Sequence, residues 1–228
     1  MAEQDNLRRI KSFVIRAGRM TEAQREGLDL GLSRFGLNVA DGVLDWDQTF
    51  TEHGAKVFEI GFGMGQSLLA QAQAEPDFRF VGVEVHRPGV GKLLHDSLEA
   101  GVDNIRVFCH DAVEVLEQCI EAESLDRVQI FFPDPWHKKR HHKRRLIQHD
   151  FMSLLAAKLK PGGIVHLATD WENYAEHMLE VLSQHPLFRN SLGQDGFAPR
   201  PEFRPLTKFE RRGERLGHGV WDLLYERI

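Results

Sequence analysis

The stretch Ala55-Lys56-Val57-Phe58-Glu59-Ile60-Gly61-Phe62-Gly63-Met64-Gly65 decides the fold. A short apolar run reaches an acid and then gives way to glycines at every second position. Such a run reads as a buried strand. Glycines directly after it let the backbone take positive φ and approach a ligand closely. Working outward, residues 78–85, 104–112, 127–135 and 163–170 have the same strand character. Amphipathic stretches lie between them, at 66–74, 88–100, 113–123 and 146–159. The last repeats Ile147, Phe151, Leu154 and Leu155 at helical spacing and stops at Pro161-Gly162-Gly163. Strands alternating with helices predict an α/β fold, Rossmann-like, with a mostly parallel sheet and helices on both faces. Ligands in such sheets sit at the carboxyl ends of the strands. The tail, 219–228, reads as one more strand, an antiparallel edge. Residues 51–228 are predicted to form this domain. Residues 1–50 read as a basic arm followed by loops and short turns, because Gly27, Gly31, Gly36 and Gly42 interrupt any helix.

Composition narrows the class. The chain has 228 residues, 42% hydrophobic and 28% charged. That is ordinary for a globular protein and excludes a collagen-like, disulfide-scaffold or wholly disordered chain. Cys109 and Cys119 are too few for a disulfide framework and point to a reducing compartment. The start, MAEQDNLRRI, lacks an apolar core, and no apolar run approaches about 18 residues. A cytoplasmic protein with no membrane partner is expected, as a monomer rather than a homodimer.

The net charge of −5, taken as an average, argues against a nucleic-acid partner. The distribution reverses that inference. Lys138-Lys139-Arg140-His141-His142-Lys143-Arg144-Arg145 contains six Lys or Arg and no acid. Without those six, 23 bases stand against 34 acids, a net of −11. The run follows Phe131-Phe132-Pro133-Asp134-Pro135-Trp136-His137, which closes the fourth strand. It is thus attached at the lip of the predicted site, where phosphates would meet it by counterion release.

The glycine spacing separates two cofactor classes. A dinucleotide loop reads G-x-G-x-x-G, but Gln66 occupies the sixth position. The spacing G-x-G-x-G at Gly61, Gly63 and Gly65 fits S-adenosyl-L-methionine (SAM) better. That ligand carries a sulfonium and an ammonium, which suit a carboxylate such as Glu59. Glu84, at the end of the second strand, can accept hydrogen bonds from ribose hydroxyls. Asp111, at the end of the third, can accept from an adenine amino group or cap the next helix. Pro133 and Pro135 fix φ on both sides of Asp134. Trp136 can stack on an extruded base or pack at the rim. Among twelve histidines none sits at a metal-ligand spacing, so no metal is expected. Cys109, on a core strand, reads as a packing residue.

Phe132-Pro133-Asp134-Pro135-Trp136 followed by Lys138-Lys139-Arg140-His141 resembles the signature of the bacterial tRNA (guanine-N7-)-methyltransferases, the TrmB family. Gly18-Arg19-Met20-Thr21, Ala168-Thr169-Asp170-Trp171 and Thr207-Lys208-Phe209-Glu210-Arg211-Arg212-Gly213 extend the likeness along most of the chain. The resemblance implies a SAM-dependent methyltransferase with a seven-stranded sheet. Its substrate would be N7 of guanine in the tRNA variable loop (position 46 in standard tRNA numbering). Glu59, Glu84, Asp111 and Asp134 match cofactor contacts, and Asp134 matches the residue regarded as catalytic. Lys138, Asp170 and Thr207, Lys208, Phe209 and Glu210 match substrate contacts. Arg140, His141, His142, Lys143, Arg144 and Arg145 match an RNA-contacting stretch. Guanine presents N1–H and N2–H₂ as donors, so Glu210 and Asp170 are the candidates for reading it. The nearest rival is an exocyclic-amine nucleic-acid methyltransferase, because Asp134-Pro135-Trp136 resembles the Asp-Pro-Pro-aromatic box of those enzymes. An NAD(P)-dependent oxidoreductase and a non-catalytic RNA chaperone fit fewer of these features.

Overall fold

A computed structural model describes residues 11–14, 18–193, 196–206, 210 and 219–228. A parallel strand lies within or across each predicted run, although β4 and β5 stop short of the predicted ends at 112 and 135 and β6 begins before 163. They are β2 (Lys56–Ile60), β3 (Arg79–Val83), β4 (Ile105–Phe108), β5 (Leu125–Phe131) and β6 (Leu159–Thr169). The tail is β8 (Trp221–Arg227), antiparallel to β6. Two short strands were not anticipated, β1 (Gly36–Leu37) and β7 (Phe188–Asn190). The sheet therefore has eight strands, not seven, in the order β1-β4-β3-β2-β5-β6-β8-β7. Because β7 pairs outside β8, the tail is an interior strand and not the edge.

Side-chain alternation along the strands divides the interior into two cores. Val57, Phe80 and Val107 pack on one face with α1 (Glu22–Phe35), α3 (Gln66–Ala74) and α4 (Arg87–Ala100). Phe58, Ile60, Val83, Val128 and Leu167 pack on the other. There they meet α5 (Ala112–Cys119), α6 (His149–Lys158) and α7 (Glu172–Ser183). Helix α5 is shorter than the predicted 113–123, and α7 had no counterpart among the predicted helices.

Residues 22–50 do not form the expected loops and turns alone. They include α1, the edge strand β1 and α2 (Trp46–Thr49). Helix α1 opens with a reciprocal capping box between Thr21 and Gln24. Its glycines do not interrupt it, because they are where α4 crosses. A Cβ on Gly27 would lie 2.0 Å from the Gly91 carbonyl oxygen, and one on Gly91 would lie 2.1 Å from that of Gln24. The close approach of two backbones outweighs the intrinsic cost of glycine in a helix, about 1 kcal/mol each.

Candidate active site

The chain reversal after β2 places the cofactor side of the site. Gly61 and Gly65 have φ of 75° and 77°, a region that disfavours residues with a Cβ. A Cβ on Gly61 would meet nothing within 4 Å, so its absence leaves a cradle in the wall of the cleft. Gly65 serves packing instead, since a Cβ there would come within 2.6 Å of Leu93 on α4. Glu84, just beyond β3, holds the reversal. One of its oxygens accepts from Gly63 N at 2.9 Å, and the other from Val85 N and His86 N at 2.7 and 2.9 Å.

Asp111, beyond β4, caps the next helix and also reaches the cleft. It caps α5 by accepting from Val113 N at 3.0 Å, and it lines the cleft. Asp134, in the loop after β5, is exposed at the open side of the same cleft. Glu84, Asp111 and Asp134 thus converge from three strand ends. This set of acceptors fits SAM: carboxylates for its hydroxyl, amino and cationic groups, beside an open glycine wall.

Glu59 is not among the residues that line the cleft. It lies inside β2, one residue short of the strand end, and period-two alternation turns it to the face opposite Ile60. Ile60 lines the cleft, whereas Glu59 is 2% exposed and accepts a hydrogen bond from Gln129 Nε2 at 2.5 Å. Burial raises its pKa to about 7.

The basic lip is not uniformly cationic surface. Lys138, Lys139, Arg140 and Lys143 are exposed, and His141 and His142 are partly so. Arg145 is buried at 3% exposure. It donates to Pro135 O at 2.9 Å and Asn173 Oδ1 at 2.8 Å, with its guanidinium 4.7 Å from the Tyr174 ring centre. Arg144 donates to the carbonyls of Lys11 and Phe13, both at 3.2 Å. It also lies 3.9 Å from the Trp136 ring centre, and Trp136 Nε1 donates to Ser12 O at 3.0 Å. Ser12 and Phe13 line the cofactor cleft. Arg145 is thus an internal brace and Arg144 holds the N-terminal segment, while Trp136 packs against Arg144 and Ser12 as its rim-packing reading has it.

Asp170 and Trp171 follow β6 and are exposed beside this lip, with His137 packed edge-on to Trp171 at 4.2 Å between ring centres. Glu210 does not face the opening. Its side chain is buried, with Oε1 2.6 Å from Arg204 Nη1. Thr207, Lys208 and Phe209 lie outside the described residues. Sequence reading also missed Arg204, Asp222 and His166. A lone Arg and Asp in apolar surroundings carry no spacing signal.

Comparison with known proteins agrees with this geometry. A family model described as a putative methyltransferase matches residues 53–223. A tRNA (guanine-N(7)-)-methyltransferase of Pseudomonas paraeruginosa is 58% identical over 231 residues, covering all of this chain and 95% of that protein. The chain belongs to the tRNA (guanine-N7-)-methyltransferase family. A relative of the same name from Pseudomonas putida is 59% identical over 221 residues, covering 97% of this chain and 92% of its own. Among solved structures, TrmN from Thermus thermophilus superposes with a TM-score of 0.54 at 20% identity, over 78% of this chain and 45% of that one. At that identity the likeness is one of fold. The family's cofactor, SAM, is the one that the cleft fits.

Proposed function

We propose that this chain transfers the methyl group of SAM to N7 of guanine in the variable loop of tRNA. One observation carries the reading: a cleft walled by Glu84, Asp111 and Asp134 has an exposed cationic run beginning four residues after Asp134. Bound in the cleft, SAM would supply an electrophilic methyl group on a sulfonium. Glu84 would hold its ribose, Asp111 its adenine, and the backbone at Gly61 would admit the rest.

Guanine N7 has an in-plane lone pair and no proton, so the chain needs no general base for this nucleophile. What it must provide is alignment and charge. Positive charge moves onto the purine during transfer, and a fixed carboxylate beside that path stabilises it where it develops. Asp134 sits at the open side of the cleft, between two prolines that restrict its backbone. Its role is electrostatic positioning. Lys138, Lys139, Arg140 and Lys143 would meet tRNA phosphates, which fix orientation without reading sequence. Asp170, exposed just after β6, would read the guanine edge.

The test is methyl transfer from labelled SAM to unmodified tRNA, with and without guanosine in the variable loop, followed by mapping of the product. Label at N7 of that guanosine is expected, and label on an exocyclic amine would overturn the reading. Asp134→Asn should lower the single-turnover rate about 100-fold or more, with SAM affinity changed far less. A solvent isotope effect showing proton transfer in the chemical step would overturn the electrostatic role.

A further inference from the structure

We propose that Gln129 is a positioning residue that works as an amide relay. It turns over as Glu59 gains or loses a proton, and so passes the state of Glu59, beside the glycine reversal, to His166 behind the cleft wall.

Gln129 lies at the centre of a buried polar row. In the sheet it pairs with Glu59 of β2 on one side and with His166 of β6 on the other. Residues paired across strands share a face, so the three side chains stand in line. All three are buried. Both ends of the row adjoin the cleft. Ile60 and Gly61, which line it, directly follow Glu59. His166 packs edge-on to Phe131, another lining residue, at 4.9 Å between ring centres.

The hydrogen bonds along the row do not close while Glu59 is ionised. An ionised carboxylate only accepts, so Gln129 Nε2 donates to it and Oε1 turns away. At the far end His166 Nε2 lies 2.7 Å from Asp222 Oδ1, and Asp222 also accepts two bonds from Arg204. Burial pushes the His166 pKa down, so the ring is neutral and carries its proton on Nε2, facing the carboxylate. His166 Nδ1 is then a bare acceptor. Gln129 Oε1 and His166 Nδ1 are both buried with no hydrogen-bond partner among the described residues. Two acceptors at paired positions cannot bond one another, and leaving them unmade is costly.

Protonation of Glu59 closes the row. Its O–H donates to Gln129 Oε1, the turned amide donates through Nε2 to His166 Nδ1, and every bond then runs one way to Asp222. The Glu59–Gln129 contact, at 2.5 Å, is shorter than the usual N–H···O range of about 2.7–3.2 Å and falls within that of O–H···O bonds. Burial keeps the Glu59 proton on to about pH 7, so both states are accessible near neutrality. The other charges acting on Glu59 are Arg127 and Glu84, and those acting on His166 are Asp222, Arg204 and Arg127. Helix α3, which packs on the same face, brings no ionisable side chain. A cation in the cleft favours ionised Glu59. SAM would therefore expel the proton to solvent and turn the amide, a step that rests on the reading that SAM binds in this cleft. S-adenosylhomocysteine, which lacks the sulfonium charge, would do so less.

Two measurements on the full chain test this. The first needs no cofactor. With histidine labelled by nitrogen-15, the His166 signals are identified by their loss in His166→Asn. The Nδ1 resonance should move from that of a hydrogen-bonded acceptor to that of a free one as the pH rises through about 7. Glu59→Gln keeps a donor facing Gln129 and should hold Nδ1 hydrogen-bonded at every pH. Gln129→Leu should hold it free, and Gln129→Met serves if the leucine variant does not fold. A resonance that stays fixed in the wild type, as an ordered water donating to both acceptors would give, overturns the relay. So does an equal movement in Glu59→Gln, which would mark the titration of His166 itself. The second measurement is calorimetric titration with SAM. Affinity should rise about three- to tenfold from about pH 6 to about pH 8, with proton release seen across buffers of different ionisation heat. The rise should vanish in Glu59→Gln and be smaller for S-adenosylhomocysteine. A pH-independent SAM affinity in the wild type overturns the link to the cofactor. Neither measurement involves tRNA, so a failure of methyl transfer to guanine N7 is distinguished from a failure of the relay.

Discussion

The two sides of the cleft are built from charged residues under opposite rules. On the cofactor side, Glu84, Asp111 and Asp134 each follow a parallel strand, and each reaches the cleft. Chain order alone brings them together, because every parallel strand of an α/β sheet ends on the same edge. On the lip, six cations lie within eight residues, yet they divide between solvent and interior. Lys138, Lys139, Arg140 and Lys143 face outward, whereas Arg145 is buried and Arg144 is tied to Lys11 and Phe13. A parallel sheet aims its strand-end residues by topology. An irregular turn, here a 3-10 segment over Lys139–Arg144, aims each side chain separately.

The comparison is tested most severely at Glu84. Its carboxylate accepts three backbone N–H bonds that shape the glycine reversal. Glu84→Gln removes the charge and leaves a donor facing donors. SAM affinity should fall about 100-fold, the worth of one to two charge-assisted hydrogen bonds. Calorimetric titration measures it, and a change of less than threefold would show that the reversal holds its shape without the carboxylate. On the lip, Arg145→Ala should instead cost stability. It strands Pro135 O and Asn173 Oδ1 and uncovers Tyr174, so unfolding by urea should register a loss of about 2–4 kcal/mol. Wild-type stability with weakened tRNA binding would return Arg145 to the RNA surface.

Glu59 lies beneath the cofactor side and contributes a pH dependence. Burial raises its folded pKa from 4.5 to about 7. A carboxyl whose folded pKa is raised binds its proton more tightly in the native state. Its contribution to stability is present below about pH 4.5 and is lost as pH rises through about 7. Glu59→Gln removes the titrating group and keeps an amide beside Gln129. Its stability should exceed that of wild type at pH 8, and the gap should narrow toward pH 5. A gap of constant size across that range would show that Glu59 does not titrate there.

How much was legible follows the same division. The strands from 55 to 170 and the placement of Glu84 and Asp111 beyond strand ends could be read because alternation, glycine punctuation and chain order act within a few residues. Glu59 stands one position short of the strand end, and in a strand one position exchanges the faces. Helix α1 was missed because glycine propensity was weighed without α4, whose Gly91 supplies the matching gap. Arg204, Asp222 and His166 were invisible because their partners come from β6, β8 and the 196–206 segment, separations that no local pattern encodes. The cationic run was found as charge, but sequence does not state which member turns inward.

Arg144 and Lys143 are adjacent, and the smallest expected effects separate them. Lys143→Ala removes an exposed cation. It should weaken tRNA binding only about two- to fivefold near physiological salt and reduce the slope of log K against log salt by about 0.7–0.9. SAM binding without tRNA should not change. Arg144→Ala should behave differently, because its guanidinium holds the carbonyls of Lys11 and Phe13 beside the cleft. Releasing that segment removes Ser12 and Phe13 from the cofactor wall, so SAM affinity should drop about three- to tenfold with no RNA present. Were Arg144→Ala to match Lys143→Ala in both salt slope and SAM affinity, Arg144 would be an ordinary phosphate contact. The inward half of the lip would then reduce to Arg145. If instead SAM affinity falls while the salt slope stays near wild type, a cation counted on the RNA side of the site belongs to the cofactor side.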